Sequence, residues 1–491
     1  MIQRLRPAKF SSLSAALLVA AGLVLRLRAY LSGRSLWLDE AMLALNLIRR
    51  DIFGLMKPLD YEQGAPLGFL LLQKLFITLA GAGELSLRLL PFLAGCALLI
   101  LSALWLRRFL STPGLLLALA LLAFSPTLVY YSAENKQYML DAALTLAVLL
   151  LAARPRRFLA IFGALALWFS HPLIFVLAAV GLAGLIFDSA RWRAWLLTGA
   201  LWLMSFGLLY LVNLRGLTQN QFLLDYWREF FPPFPPSIFW LGERLNGLLG
   251  SFGAAGLGLQ SPFWLSLLTL AAGLFWLARR HGQAAAQIGG VFVFALAAAA
   301  LEKYPLGGRM ALFLLPLLAV LLGAGLEAFL AAARRLAGKT PAGLAAAALG
   351  GFLLFAPAQL SLQRLITPFM RENLHPALTA LRESRQPGDG IYIYPAASPA
   401  FLYYAPRYAF APESFFAPIY LQAQSNLPQI LADLKIFSAA PRLWVLFAHV
   451  YEKDGLNEMQ AALNFLEADW RCKTHTRAAG TGVTLTLCLR R

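Results

Sequence analysis

The sequence predicts an α-helical polytopic membrane protein of about eleven transmembrane helices, with juxtamembrane helices in its first external loop and a small α/β domain at its C-terminal end. Three observations predict it. Hydrophobic residues make up 59% of the 491, and charged residues only 13%, against about 25% charged in a typical soluble domain. Apolar runs of about 15–22 residues recur through the first three-quarters of the chain, each close to the length that crosses a hydrocarbon core. Small arginine clusters punctuate those runs, where orientation signals are expected.

Segments of this kind must satisfy their own backbone polar groups in lipid, which makes them helices. A β-barrel would alternate apolar and polar residues, and these runs do not. The net charge of +18 does not imply a nucleic-acid partner, because the cations are scattered between apolar runs and form no basic stripe interleaved with aromatics. Three cysteines are too few for a disulfide framework, and Cys96 lies inside an apolar run. The first run follows Arg4, Arg6 and Lys9, carries Arg26 and Arg28, and lacks a small-residue cleavage site, so it reads as a retained anchor.

The positive-inside rule orders the spans. Arg4, Arg6 and Lys9 place the N-terminus in the cytoplasm, and the same side takes Arg107–Arg108, Arg154/Arg156/Arg157, Arg191/Arg193, Arg279–Arg280 and Arg334–Arg335. One decision makes these consistent. The run 66–80 (PLGFLLLQKLFITLA) is short and holds Lys74, so it is a juxtamembrane helix within a first external loop of roughly 31–87. If it crossed, every later arginine cluster would face outward. The spans then fall near 11–30, 88–106, 114–130, 139–153, 158–170, 172–187, 194–213, 262–278, 284–300, 310–331 and 341–360. Segments 31–87, 131–138, 214–261 and 302–309 lie outside, as does the tail; the domains are 1–360 in the membrane and 361–491 beyond it. The aromatic, proline-rich FFPPFPPSIFW within 214–261 suits the headgroup level.

In the tail, helices near 375–384, 424–436 and 457–468 alternate with strands at GIYIYP and RLWVLFAHV, which is the pattern of an α/β domain. The end reads as a hairpin turning near Gly480. Cys472 and Cys488 are equidistant from that turn, and either form a disulfide or stay as two buried thiols.

Charge in a membrane protein is costly unless it works, pairs or meets water. Asp39 and Glu40 follow span one directly. Neighbouring residues on a helix point about 100° apart, so the two can serve different partners; a plain N-cap role for Asp39 is the competing reading. The first loop adds Asp60, Tyr61, Glu62 and Gln63, and Arg88 opens span two. YYSAENKQYML brings Glu134, Lys136 and Tyr138 together, His171 tops a helical hairpin, and EKYPLGGR offers Tyr304 and Arg309. Carboxylates and cations on one side of a membrane, beside helices able to hold a lipid tail, suit a lipid-phosphate sugar. Arginine and lysine bind the phosphate and stabilise its departure. A carboxylate takes the proton of an attacking hydroxyl or amine, and no acid is needed for the phosphate leaving group.

The acid pair after span one, the Pro66-Leu67 juxtamembrane motif, SLRLLP at Arg88, YSAENKQY and YPLGGRMALFLLP resemble glycosyltransferase family 39, of the GT-C superfamily, over roughly residues 20–330. That family includes protein O-mannosyltransferases and lipid A aminoarabinose transferases. The resemblance implies an inverting glycosyltransferase of the inner membrane using a polyprenyl-phosphate sugar. It implies Asp39 as catalytic base, Glu40 and Glu134 as further acids, and Arg88, Lys136 and Arg309 as donor-phosphate cations. Tyr61, Glu62, Gln63, Tyr138, His171 and Tyr304 fall in place as substrate-binding residues. Adjacent acids match the branches that work without metal, so no metal or cofactor is expected. Two departures stand out. Some relatives carry Lys-Pro-Pro-Leu where this chain has Gly64-Ala65-Pro66-Leu67, and loop two offers Glu134 in place of an aspartate. The competing reading, a transporter or flippase of lipid-linked intermediates, calls for ionisable residues near mid-membrane, whereas the acids here cluster at one face.

Overall fold

The computed structural model describes residues 9–152, 157–235, 237–250, 255–420, 425–453, 455–478 and 481–491. Arg4, Arg6, Arg154, Arg156 and Gly480, used above for orientation and for the hairpin turn, lie outside the described residues. The described chain forms two compact units. Where the sequence divides 1–360 from 361–491, the packing groups Gly33–Gln63 and Ala80–Glu84 with Phe369–Arg491.

The first unit is helical. Each predicted span is helical, from Lys9–Tyr30 and Glu84–Leu106 through Leu315–Ala337 and Lys339–Ile366, with 114–130 broken at Ser125 into Thr112–Phe124 and Pro126–Tyr131. Among the described residues, six helices are long and apolar enough to cross a membrane: Leu13–Tyr30, Glu84–Leu106, Ser189–Thr218, Gly282–Ala300, Gly308–Ala337 and Lys339–Ile366. The chain is a multi-pass membrane protein. Leu67–Ala80 is an apolar helix of 14 residues, one of several shorter than the six, with Thr112–Phe124, Tyr138–Leu151 and Leu173–Phe187.

Leu315–Ala337 forms the centre of this unit, buried from Leu315 to Glu327, and packs against Phe263–Arg280 and Thr112–Phe124. Small residues allow the approach. A Cβ at Gly273 would collide with the backbone of Leu321 and Gly325, and one at Gly114 with the carbonyl of Gly323. Close backbone contact of this kind replaces the hydrophobic driving force that lipid does not supply. The two terminal nitrogens of the buried Arg26 donate to carbonyls, of Gly22 at 3.1 Å, Leu122 at 3.1 Å and Ala123 at 3.4 Å. A charge can sit inside a span only on such terms.

The second unit holds a four-stranded sheet in the order Gly390–Ile393, Arg442–Phe447, Val483–Arg490, Trp470–Ala478. The first pair is parallel and the other two antiparallel. Helices His375–Ser384, Leu427–Lys435 and Glu458–Leu466 fall where the sequence places them, and Ser398–Tyr404 is an additional one. Cys472 and Cys488 are direct cross-strand partners joined by a disulfide. The early segments join this unit through specific bonds. Helix Leu38–Arg49 rests on Ser398–Tyr404, the Leu36 N–H donates to the Tyr404 hydroxyl at 2.8 Å, and Arg407 meets both carboxylate oxygens of Glu84 at 3.1 Å.

Candidate active site

In the first unit the predicted residues gather around one turn. The chain leaves helix Pro126–Tyr131, turns through 132–137 and re-enters a helix at Tyr138. The sequence reads this stretch as an external loop, yet Glu134 and Asn135 are 0% exposed and Lys136 4%. Gln73 explains part of the burial. Its Nε2 donates to Asn135 Oδ1 at 2.7 Å and to the Leu87 carbonyl at 2.6 Å, fixing the juxtamembrane helix between this turn and the residue preceding Arg88. Gln137 reaches the carbonyl of Gly64, in the Pro66-Leu67 motif region, at 3.4 Å. Arg88 is itself buried.

Arg309 opens the short helix Gly308–Leu314. Its guanidinium carbon lies 5.8 Å from the centre of the Tyr138 ring and 5.4 Å from that of Trp227. The backbone leading to it is shaped by glycines: Gly308 has φ +52°, and any side chain at Gly307 would collide with Phe230. The Phe230 carbonyl accepts from Leu306 at 2.9 Å, so the aromatic segment before it is stitched to the arginine turn. Two aromatic faces hold a half-buried guanidinium whose planar fork suits a phosphate.

Tyr304 and His171 flank this arrangement. The Tyr304 hydroxyl donates to the Met310 carbonyl at 2.8 Å, and its ring meets Phe175 edge-on at 5.3 Å. Burial, then the charges of Asp141 and Tyr138, hold its pKa well above the ordinary tyrosine value, so it stays a neutral donor. His171 pairs with Asn213 Oδ1 at 2.9 Å. Burial lowers its pKa to about 4 against the opposing effect of that bond, so the ring is neutral at physiological pH. Asp141, in the first turn of Tyr138–Leu151, is buried, as is Ser170, the neighbour of His171. The sequence reading passes over Asp141 and Trp227. The signal for Asp141 was its spacing, three residues after Tyr138 and hence on the same helix face.

In the second unit, Asp39 and Glu40 occupy the first turn of helix Leu38–Arg49. Glu40 is fully buried and Asp39 half-buried. The N-cap position belongs to Trp37, whose side chain makes no cap bond. The capping acceptor comes from the tail, where Glu372 Oε2 takes the Leu38 N–H at 3.2 Å. Its other oxygen bonds His449 Nδ1 at 2.8 Å. Ser35 Oγ accepts from Leu374 N at 3.0 Å and donates to the Glu372 carbonyl at 3.2 Å. The Trp37 ring has Arg371 over it at 4.2 Å and His449 beside it at 5.9 Å. The N-cap reading of Asp39 therefore does not hold, and Asp39 sits one residue inside the helix, in the favourable potential of its start. Glu372 and His449 escape the sequence reading because more than 330 residues separate them from Leu38.

Tyr61, Glu62 and Gln63 sit at the end of the same segment. Arg49 donates to the Tyr61 hydroxyl at 3.1 Å, and Gln63 to the Met42 sulfur at 3.5 Å. Tyr61 and Glu62 both take positive φ, +64° and +52°. Such backbone costs roughly 1–3 kcal/mol per residue and concentrates at functional sites.

No family model matches the chain, and neither does any curated protein. Solved structures do. The crystal structure of ArnT from Cupriavidus metallidurans in the apo state aligns with a TM-score of 0.55 at 15% identity, covering 96% of this chain and 97% of that one. ArnT from the same organism bound to undecaprenyl phosphate aligns with a TM-score of 0.52 at 14% identity, with the same coverage. This chain has the ArnT fold. The helical polytopic architecture with a small C-terminal α/β domain expected from the sequence is the architecture observed, and the ArnT alignment covers nearly the whole of both chains.

Proposed function

We propose that the protein is a membrane glycosyltransferase that moves a sugar from a polyprenyl-phosphate donor to an extracytoplasmic acceptor with inversion at the anomeric carbon. The observation that carries this reading is the fold shared end to end with ArnT bound to undecaprenyl phosphate. In this reading Arg309 on its aromatic platform, with Lys136 and Arg88, takes the donor phosphate and stabilises its release. Asp39 is the general base for the acceptor nucleophile, and Glu40 and Glu134 are supporting acids. Tyr138, Tyr304 and His171, with Tyr61, Glu62 and Gln63, contact the sugar and acceptor; His171 and Tyr304 do so as neutral groups. No metal takes part, so transfer persists in a chelator; loss of transfer in EDTA and recovery with a divalent ion would overturn that point.

The site faces the extracytoplasmic side of an inner membrane, with the N-terminus in the cytoplasm. The disulfide between Cys472 and Cys488 supports this placement of the tail, because such bonds persist in oxidising compartments. The transporter reading is weaker. Asp141 stands in the first turn of its helix, and the carboxylate of Glu327, midway along Leu315–Ala337, is taken by the Ser111 N–H. The deciding experiment compares lipid-linked sugars and envelope glycans by mass spectrometry in cells with the protein, without it, and with Asp39→Asn. The reading requires the glycan to vanish and the lipid-linked donor to accumulate in the last two. A glycan made normally with Asp39→Asn would remove the assigned base.

A further inference from the structure

A separate apolar cavity lies in the first unit, away from the residues discussed above. A cavity of about 460 Å³ runs between helices Lys9–Tyr30, Thr112–Phe124, Leu315–Ala337 and Lys339–Ile366. That volume is in the range of ligand pockets, roughly 300–1,000 Å³. Its walls are apolar, among them Leu18, Leu117, Leu330 and Leu354. Gly343 and Gly350 also line it, along a stretch of helix that reaches Leu354, about 16 Å at 1.5 Å per residue. That length accommodates an acyl chain lying along the helix.

One end of the channel is cationic. Arg334 lines it. Arg335 and Lys339 follow within five residues, and all three are exposed. No acid occurs anywhere from 328 to 371. The turn before Thr112–Phe124 reaches the same end, since the Ser111 N–H bonds Glu327 and Pro113 lines the cavity. That turn carries the exposed Arg107. Glu327, the acid nearest this end, is occupied by the Ser111 bond. An apolar channel ending in uncompensated arginines between transmembrane helices matches an anionic headgroup with its acyl chain.

We propose that this groove binds an anionic phospholipid of the bilayer, one acyl chain lying along Gly343–Leu354 and the phosphate against Arg334. The site is independent of the proposed transfer reaction. The test is native mass spectrometry of the full-length protein in detergent, with phosphatidylglycerol and phosphatidylcholine of identical acyl chains supplied in turn. Phosphatidylglycerol is expected to be retained about fivefold or more over phosphatidylcholine, and Arg334→Gln to lower that retention about fivefold. Arg334 is exposed, so its substitution does not threaten the fold. Gly350→Leu fills the channel; a Cβ there meets only the end of Leu326 at 3.6 Å, so the helix tolerates it, and phosphatidylglycerol retention should be lost. Equal retention of the two lipids would overturn the proposal. So would unchanged retention in both variants, or displacement of phosphatidylglycerol by an equal amount of undecaprenyl phosphate.

Discussion

Glu372 caps the helix that carries the adjacent acids: its Oε2 accepts the Leu38 N–H at 3.2 Å while its Oε1 holds His449 Nδ1 at 2.8 Å. One buried carboxylate thus ties the start of helix Leu38–Arg49 to the loop after strand Arg442–Phe447. The orientation of Asp39, one residue inside that helix, depends on a residue from the tail.

Replacing Glu372 separates the two bonds. Glu372→Ala removes the cap acceptor and the imidazole partner together, and should cost about 1–2 kcal/mol. Glu372→Gln keeps a neutral acceptor for the Leu38 N–H and loses the charge, so it should cost less. Thermal unfolding of the purified protein reads both. If Glu372→Ala melts with the parent, the cap contributes nothing to stability.

His449 gives the same contact a pH dependence. Burial opposes its charged form, but the hydrogen bond to Glu372, the Glu372 charge and the Asp39 charge outweigh burial and the repulsion of Arg371, and the pKa is raised. A pKa raised by folding contributes stability in full below the unfolded histidine value of about 6.5, and loses it as pH rises through the folded value. The melting-temperature gap between the parent and His449→Gln should therefore be widest below about pH 6 and narrow in the alkaline direction. A gap that stays constant from acid to alkali would show that the imidazole acts only by packing.

The spans were legible because burial in lipid leaves one solution, an apolar helix, and the arginine clusters mark its ends. The tail elements were legible too, since periodicity and turn residues act locally. What the sequence concealed was partnership over distance. Asp39 could be singled out as an acid at a helix start, but the competing cap reading could be dismissed only once Glu372 was seen in that role. Likewise the turn 132–137 reads as a polar external loop, and only Gln73, over 60 residues away, reveals that Asn135 is buried and bonded. Trp227 looks like one aromatic among many until Arg309 is found beside its ring.

Arg309 offers a direct test of donor binding. Its guanidinium is held by the Tyr138 and Trp227 rings, which orient the fork without neutralising its charge. Arg309→Ala should weaken binding of undecaprenyl phosphate about ten- to a hundredfold, the scale of a hydrogen bond to a charged group. Arg309→Lys keeps the charge and loses the planar fork, and should fall between the two. Binding measured by microscale thermophoresis that is equal in all three proteins removes Arg309 from the phosphate site.

The disulfide makes a prediction about one edge of the second unit. Strand Trp470–Ala478 is paired on one side only, to Val483–Arg490, and most of its side chains are exposed. Little burial holds it, so its attachment rests on the backbone ladder and on the bond from Cys472 to the buried Cys488. Closing a loop across a sequence separation of 16 is worth about 3 kcal/mol against the unfolded chain. Reduction, or Cys472→Ser with Cys488→Ser, should therefore loosen the edge strand first. Hydrogen exchange should accelerate along Trp470–Ala478, while Arg442–Phe447, buried and paired on both sides, keeps its protection. Uniform acceleration across all four strands would mean that the bond holds the whole sheet and not its edge, and no acceleration would mean that the ladder alone suffices.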